Sequence, residues 1–201
     1  MLFHAPGRDQ LRHLYRIATG AETVDGTYEV AVLGDSTAQG GQWHRLLDGR
    51  RIGNFGRGGE EVGDVARRAG EVIAARPRIV FVLAGINDLL RGRDPAAAAD
   101  DLAAVIDPLR AAGITVSVNA LFCGNAAKAA AASAPFVDCA RVRAFNERAR
   151  AVAAAHGAAF IDLAPALMSG DETRAAFTDD GLHLNEAGSR VVAGLWRGYL
   201  E

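Results

Sequence analysis

The sequence predicts an α/β fold: one parallel sheet of five strands, covered by helices on both faces. Three observations carry this prediction. Strand-like and helix-like patterns alternate five times along the 201 residues. The run Ile79 to Ala84, IVFVLA, is apolar on both faces, as a central strand of a parallel sheet must be. The first three strand runs stop at Gly34, Gly56 and Gly85, and right-handed crossovers bring all strand-to-helix loops to one sheet edge, where such folds hold their sites.

In chain order, residues 8–18 place Leu11, Leu14, Tyr15 and Ala18 at helical spacing, a helix within an amino-terminal extension of residues 1–26. Tyr28 to Leu33 suit a buried strand that stops at Gly34 and delivers Asp35 and Ser36 to the edge. Trp43, Leu46 and Leu47 share a helix face, and a short strand covers Arg51 to Phe55. Glu60 and Glu61 suit the first turn of one helix with Val62, Val65, Ala66, Ala69, Val72 and Ile73 inward, ending before Pro77. After Ile79 to Ala84, Asp94-Pro95 starts a helix that carries Leu102, Val105, Ile106 and Leu109, which Pro108 is expected to kink or shorten.

Ile114 to Leu121 reads as the fourth strand. The Ala-rich connection from Gly124 to Val137 is long for a compact domain, so it is expected to border a site or to move. Asp138 caps a helix with Val142, Phe145, Ala149, Val152 and Ala153 inward and Gly157 as its stop. Ala158 to Leu163 is the fifth strand. Asn185 then caps a last helix carrying Val191, Val192, Leu195, Trp196 and Tyr199. No repeat and no linker interrupts this order, so residues 1–201 are expected to form a single domain.

Composition narrows the partners. A formal charge of -2 gives no electrostatic footprint for nucleic acid. No apolar run approaches the ~20 residues of a membrane span, and the amino terminus lacks the apolar core of a signal peptide. A cytoplasmic protein is expected; its two cysteines, Cys123 and Cys139, flank a loop that they could bridge, but without a secretion signal reduced thiols are expected. No paired-cysteine motif suggests zinc; no metal or cofactor is expected. Nothing in the sequence specifies an oligomeric state.

The chemistry comes from residues expected at the sheet edge. Ser36, between a strand and a glycine-rich turn, is a candidate nucleophile, but a hydroxyl is weak at neutral pH and needs an imidazole to take its proton. Among the five histidines, only His183 has a carboxylate three residues before it, Asp180, where one turn of backbone brings acid and ring together. Asp179 is an alternative orienting acid. Attack on an ester carbonyl creates an oxyanion, for which Ser36 offers its backbone amide, Gly56 an amide that no side chain shields, and Asn87 a side-chain amide. Asp88 is expected to brace its loop. Trp43, Phe122 and Phe177 are candidates to line a pocket, and Arg91 and Arg93 to favour an acidic substrate. Nucleotide-loop readings fail: Glu61 stands where a dinucleotide fingerprint needs glycine, and Gly34 to Gly40 lacks the Lys-Ser/Thr ending of a P-loop. Ala38 likewise stands where a hydrolase elbow has its second glycine.

Four blocks in order, Gly34-Asp35-Ser36, Asn54-Phe55-Gly56-Arg57-Gly58-Gly59, Gly85-Ile86-Asn87-Asp88 and Asp180-Gly181-Leu182-His183, resemble the SGNH (GDSL) hydrolase family. The resemblance implies a three-layer, flavodoxin-like sheet, Ser36 as nucleophile, His183 as base, Asp180 as its orienting acid, and an oxyanion hole from Ser36, Gly56 and Asn87. Three positions depart from the pattern: Thr37 replaces leucine, Glu61 a frequent threonine and Leu184 a frequent proline. Gly-Asp-Ser-Thr is similar to some carbohydrate acetylesterases of that family. The expectation is a serine esterase acting on a small-molecule ester, with acetyl or another short acyl group first. A lysophospholipase or acyltransferase using the same three residues, or a non-catalytic binding module of this fold, are the alternatives.

Overall fold

Five short, fully or largely apolar segments pair side by side and all run the same way. The computed structural model describes residues 28–201, and the expected helix over residues 8–18 and the extension 1–26 lie outside them. Strand β1 (Val30–Gly34) leads into a one-turn helix, α1 (Ser36–Gly40), then α2 (Trp43–Leu46) and β2 (Ile52–Gly56). Helices α3 (Val62–Arg67) and α4 (Ala69–Ala75) precede β3 (Ile79–Leu83), and α5 (Ile86–Leu90), α6 (Pro95–Asp100) and α7 (Leu102–Ala111) precede β4 (Thr115–Asn119). Then follow α8 (Ala126–Ala132), α9 (Cys139–Ala155), β5 (Ala159–Ile161), α10 (Ala164–Leu167), the small antiparallel pair β6 (Met168–Ser169) and β7 (Glu172–Thr173), and α11 (Glu186–Arg197).

The sheet order is β2-β1-β3-β4-β5, all parallel, the flavodoxin-like order. Alternation along the strands divides the core into two layers. Val30, Val32, Ile79, Phe81 and Leu83 pack with Trp43, Leu46, Leu167 and Trp196 from α2, α10 and α11. Ala31, Leu33, Val80, Val82, Val116 and Val118 pack with Val65, Val72, Leu102, Ile106 and Phe145 from α3, α4, α7 and α9. In the first layer, Phe81 stacks on Trp196 with centroids 4.3 Å apart and planes 3° from parallel, a contact worth about 1 kcal/mol beyond burial. The Trp196 indole N–H donates to Asn119 Oδ1 at 2.8 Å, and Asn119 Nδ2 donates to Val82 O at 3.1 Å, so both buried polar groups are satisfied.

Several local expectations need correction. The helix expected from Val62 to Ile73 breaks at Arg68, where φ is -105° and ψ 4°. That buried guanidinium donates to Phe55 O at 3.1 Å and to Glu60 Oε1 at 2.9 Å, bonds that a continuous helix would forfeit. The helix from Asp94 breaks at Asp101 and runs through Pro108, which removes one ladder bond only four residues from the helix end. Tyr199 lies past α11 and is exposed. The caps stand as read: Asp94, Asp138 and Asn185 accept from Ala97, Ala140 and Gly188 backbone N–H.

The largest correction concerns the cysteines, expected as reduced thiols. Cys123 and Cys139 are joined in a disulfide, their Cα atoms 5.1 Å apart. The loop leaving β4 passes beside the first turn of α9, so the two ends of the Ala-rich segment meet.

Candidate active site

Ser36 is placed by three strands at once. At the end of β1, Asp35 N–H donates to Leu83 O on one side, and Arg57 N–H donates to Gly34 O on the other. Gly34, at φ 153°, is required there: a Cβ would stand 1.8 Å from Leu83 O. Asp35 then caps α1, its Oδ1 accepting from Thr37 N–H at 2.9 Å. Capping therefore belongs to Asp35, and Ser36 is left as the first residue of α1, with its own N–H without an intrahelical acceptor. Burial pushes the Asp35 carboxyl up to about 7, against the lowering bonds from Thr37.

The polar loop after β5 brings His183 to that serine. His183 Nε2 lies 2.9 Å from Ser36 Oγ, and His183 Nδ1 lies 2.6 Å from Asp180 Oδ2. Asp180 Oδ1 also accepts the backbone N–H groups of Leu182 and His183 at 2.9 and 2.8 Å. Partial burial raises the Asp180 carboxyl, but the bonds from His183 and Leu182 outweigh it and hold it at about 2. An ionised carboxylate only accepts, so the proton must sit on Nδ1, which leaves Nε2 open to accept from the Ser36 hydroxyl. The arrangement can draw a proton from Ser36 along a fixed line. Asp179 takes no part: its carboxylate accepts from Asn185 Nδ2 at 3.2 Å.

The three expected oxyanion donors stand differently. Ser36 N–H has no helical acceptor. Asn87, in the first turn after β3, donates one Nδ2 hydrogen to Glu60 O at 2.9 Å and keeps a second to give. Gly56 N–H donates instead to Asn54 Oδ1 at 2.9 Å, and the glycine is packed so closely under α1 that a Cβ would fall 2.1 Å from Gln39 N. Gly58, which sequence reading did not name as a donor, also stands beside Ser36: a Cβ there would come within 3.7 Å of Ser36 Cβ, and its N–H donates to Gln39 Oε1 at 2.9 Å. The run Gly56-x-Gly58-Gly59 contained that signal, but residue type alone did not rank its glycines.

The remaining candidates sort by position. Asp88 braces its loop as expected, accepting from Val62 N–H at 3.0 Å and Arg93 Nη1 at 2.6 Å; burial pushes its carboxyl up. Arg93 also pairs with Asp101, and Arg91 with Glu61 at 3.0 Å, so neither is free for an acidic substrate. Trp43 is core and Phe177 packs against that same layer. Phe122 does reach an open cleft beside Thr37, which Ile86, Leu182 and the Pro135-Phe136-Val137 run also line. The Ala-rich segment therefore borders a site.

A model of the GDSL-like lipase/acylhydrolase family matches residues 32–191. A candidate platelet activating factor from Streptococcus pneumonia has a similar structure, with 19% identity, 96% of this chain and 92% of that chain covered, and a TM-score of 0.79. A GDSL-like lipase from Bacteroides thetaiotaomicron VPI-5482 matches at 19% identity over 94% of this chain and 96% of its own, with a TM-score of 0.73. An acetyl xylan esterase matches at 22% over 86% and 99%, with a TM-score of 0.70. At these identities the solved structures speak for the fold alone. No curated protein matches the sequence. With the family model spanning all four sequence blocks, this chain belongs to the GDSL-like lipase/acylhydrolase family.

Proposed function

We propose that this protein is a serine esterase that hydrolyses a carboxylic ester, with a short acyl group such as acetyl preferred, through an acyl-enzyme on Ser36. The observation that carries the reading is the continuous hydrogen-bonded line from Asp180 through His183 to Ser36. Ser36 Oγ attacks the carbonyl carbon as its proton passes to His183 Nε2, and Asp180 stabilises the imidazolium. The carbonyl oxygen becomes an oxyanion facing Ser36 N–H and the second Asn87 Nδ2 hydrogen, with Gly56 as the third expected donor and Gly58 also beside Ser36. Collapse expels the alcohol, which takes the proton from Nε2. Water then attacks the acyl-enzyme, giving its proton to His183, and the acid leaves as Ser36 recovers a proton.

The short-acyl preference is supported by Gly-Asp-Ser-Thr and by the modest cleft. A single domain over residues 1–201 belongs to the same proposal. A cytoplasmic location does too, and the Cys123–Cys139 disulfide weighs against it, because reducing compartments keep such pairs open. Among the described residues no helix is long and apolar enough to cross a membrane.

The test is turnover of chromogenic acyl esters, acetyl to long chain, by wild type and Ser36→Ala. Activity that falls with chain length and disappears in the folded variant supports the proposal. Turnover that survives the substitution overturns the Ser36 mechanism, and two folded proteins inert on every ester point to the binding-module reading.

A further inference from the structure

Phe136 is an exposed aromatic: at 46% exposure it and Tyr199 are the exposed large hydrophobic side chains among the described residues. One exposed ring needs no explanation by itself; its place in the lining of the cleft is what bears on function. Phe136 lies at the rim of the apolar cleft beside Ser36, its ring against the backbone of Gly124, where a Cβ would come within 3.3 Å of Cε2.

The segment that carries it is held at several points. Asn125 N–H donates to Gly181 O at 2.9 Å, within the loop that presents His183, and Asn125 Nδ2 donates to Thr173 O at 2.9 Å. Val137, next to Phe136, is buried in the core. The Cys123–Cys139 disulfide ties the segment's two ends together. An exposed ring on a loop fixed in this way keeps one position relative to Ser36, which is what a length stop needs.

The cleft adjoins the candidate site. Thr37 and Ile86, which line it, are the chain neighbours of Ser36 and Asn87, the two groups that face the developing oxyanion. We propose that Phe136 sets acyl-chain length in this enzyme, closing the far end of the cleft so that short, unbranched acyl groups fit and longer ones must displace the ring. This rests on the esterase reading of Ser36 and adds a specificity-determining residue to it.

The experiment compares wild type, Phe136→Ala and Phe136→Trp on two ester series: acetyl to octanoyl on one chromogenic alcohol, and acetates of methyl to octyl alcohols. The readout is the ratio of kcat/KM for the long to the short member, which a merely destabilised protein does not move. Each methylene newly buried is worth about fourfold, so Phe136→Ala should raise the octanoyl-to-acetyl ratio at least tenfold and Phe136→Trp should lower it. Superimposable acyl profiles for all three proteins, with turnover still dependent on Ser36, overturn the role of Phe136 and leave the esterase reading standing. A shift confined to the alcohol series overturns the acyl assignment. Loss of all Ser36-dependent turnover already in wild type removes both.

Discussion

Asp180 grips His183 twice, taking the ring Nδ1–H on Oδ2 at 2.6 Å and the backbone N–H on Oδ1 at 2.8 Å. The carboxylate thus fixes both the tautomer and the angle at which Nε2 meets Ser36. Asp180→Asn removes the charge and favours the wrong tautomer, so kcat is expected to fall on the order of a thousandfold with KM little changed. Asp179→Asn, which touches only Asn185, should stay within about twofold. Steady-state kinetics of the two variants checks this, and equal losses would remove Asp180 from its assigned role.

Asn87, in the first turn of α5, is the side-chain donor of the proposed oxyanion hole. Asn87→Ala should lower kcat on the order of a hundredfold or more while KM moves far less, because the lost bond matters most once the oxyanion has formed. It also removes the bond to Glu60 O, an exchange expected to cost roughly 1 kcal/mol of stability. Chemical denaturation beside the kinetics separates the two effects.

Asp35 is fully buried and its carboxyl is raised to about 7, whereas in the unfolded chain it titrates near its ordinary value of 3.8. The native state therefore keeps a proton that the unfolded state releases. Below about pH 4 both states are protonated and nothing is lost; as pH rises through 7 stability falls, by up to about 4 kcal/mol from this group. Asp35→Asn cannot ionise and can still accept from Thr37 N–H. Its stability relative to wild type should rise between pH 4 and 8, and a flat difference across that range would refute the account.

Reduction of the Cys123–Cys139 bond, whose cysteines are 16 residues apart, releases a loop constraint worth about 3 kcal/mol in the unfolded chain. Urea unfolding with and without a reductant, or of Cys123→Ala/Cys139→Ala, should show a lower midpoint in the reduced or substituted protein. Identical midpoints would mean that the pair contributes nothing in solution.

Much of this arrangement was legible because the information is local. The apolar run at Ile79, the caps at Asp94, Asp138 and Asn185, and the three-residue spacing of Asp180 and His183 each need one stretch of chain to be read. What was not legible depends on distant partners. The helix break at Arg68 follows from Phe55 O and Glu60, the engagement of Gly56 N–H from the orientation of Asn54, and the Cys123–Cys139 bond from how β4 and α9 sit together. Trp43 and Phe122 illustrate the same limit: both are aromatics near loops, yet one fills the core and the other lines the cleft, a difference of layer that composition does not encode.

Both tryptophans of the sequence, Trp43 and Trp196, lie in one layer with ring centroids 4.5 Å apart, and the Trp43 indole N–H donates to Ala38 O at 2.7 Å. Ala38 is in the one-turn helix that begins with Ser36. Tryptophan fluorescence therefore reports a single layer, and within it the seat of the serine, without any label. A change in emission on acylation reads out movement of that helix, while the disulfide-tied segment across the sheet stays optically silent.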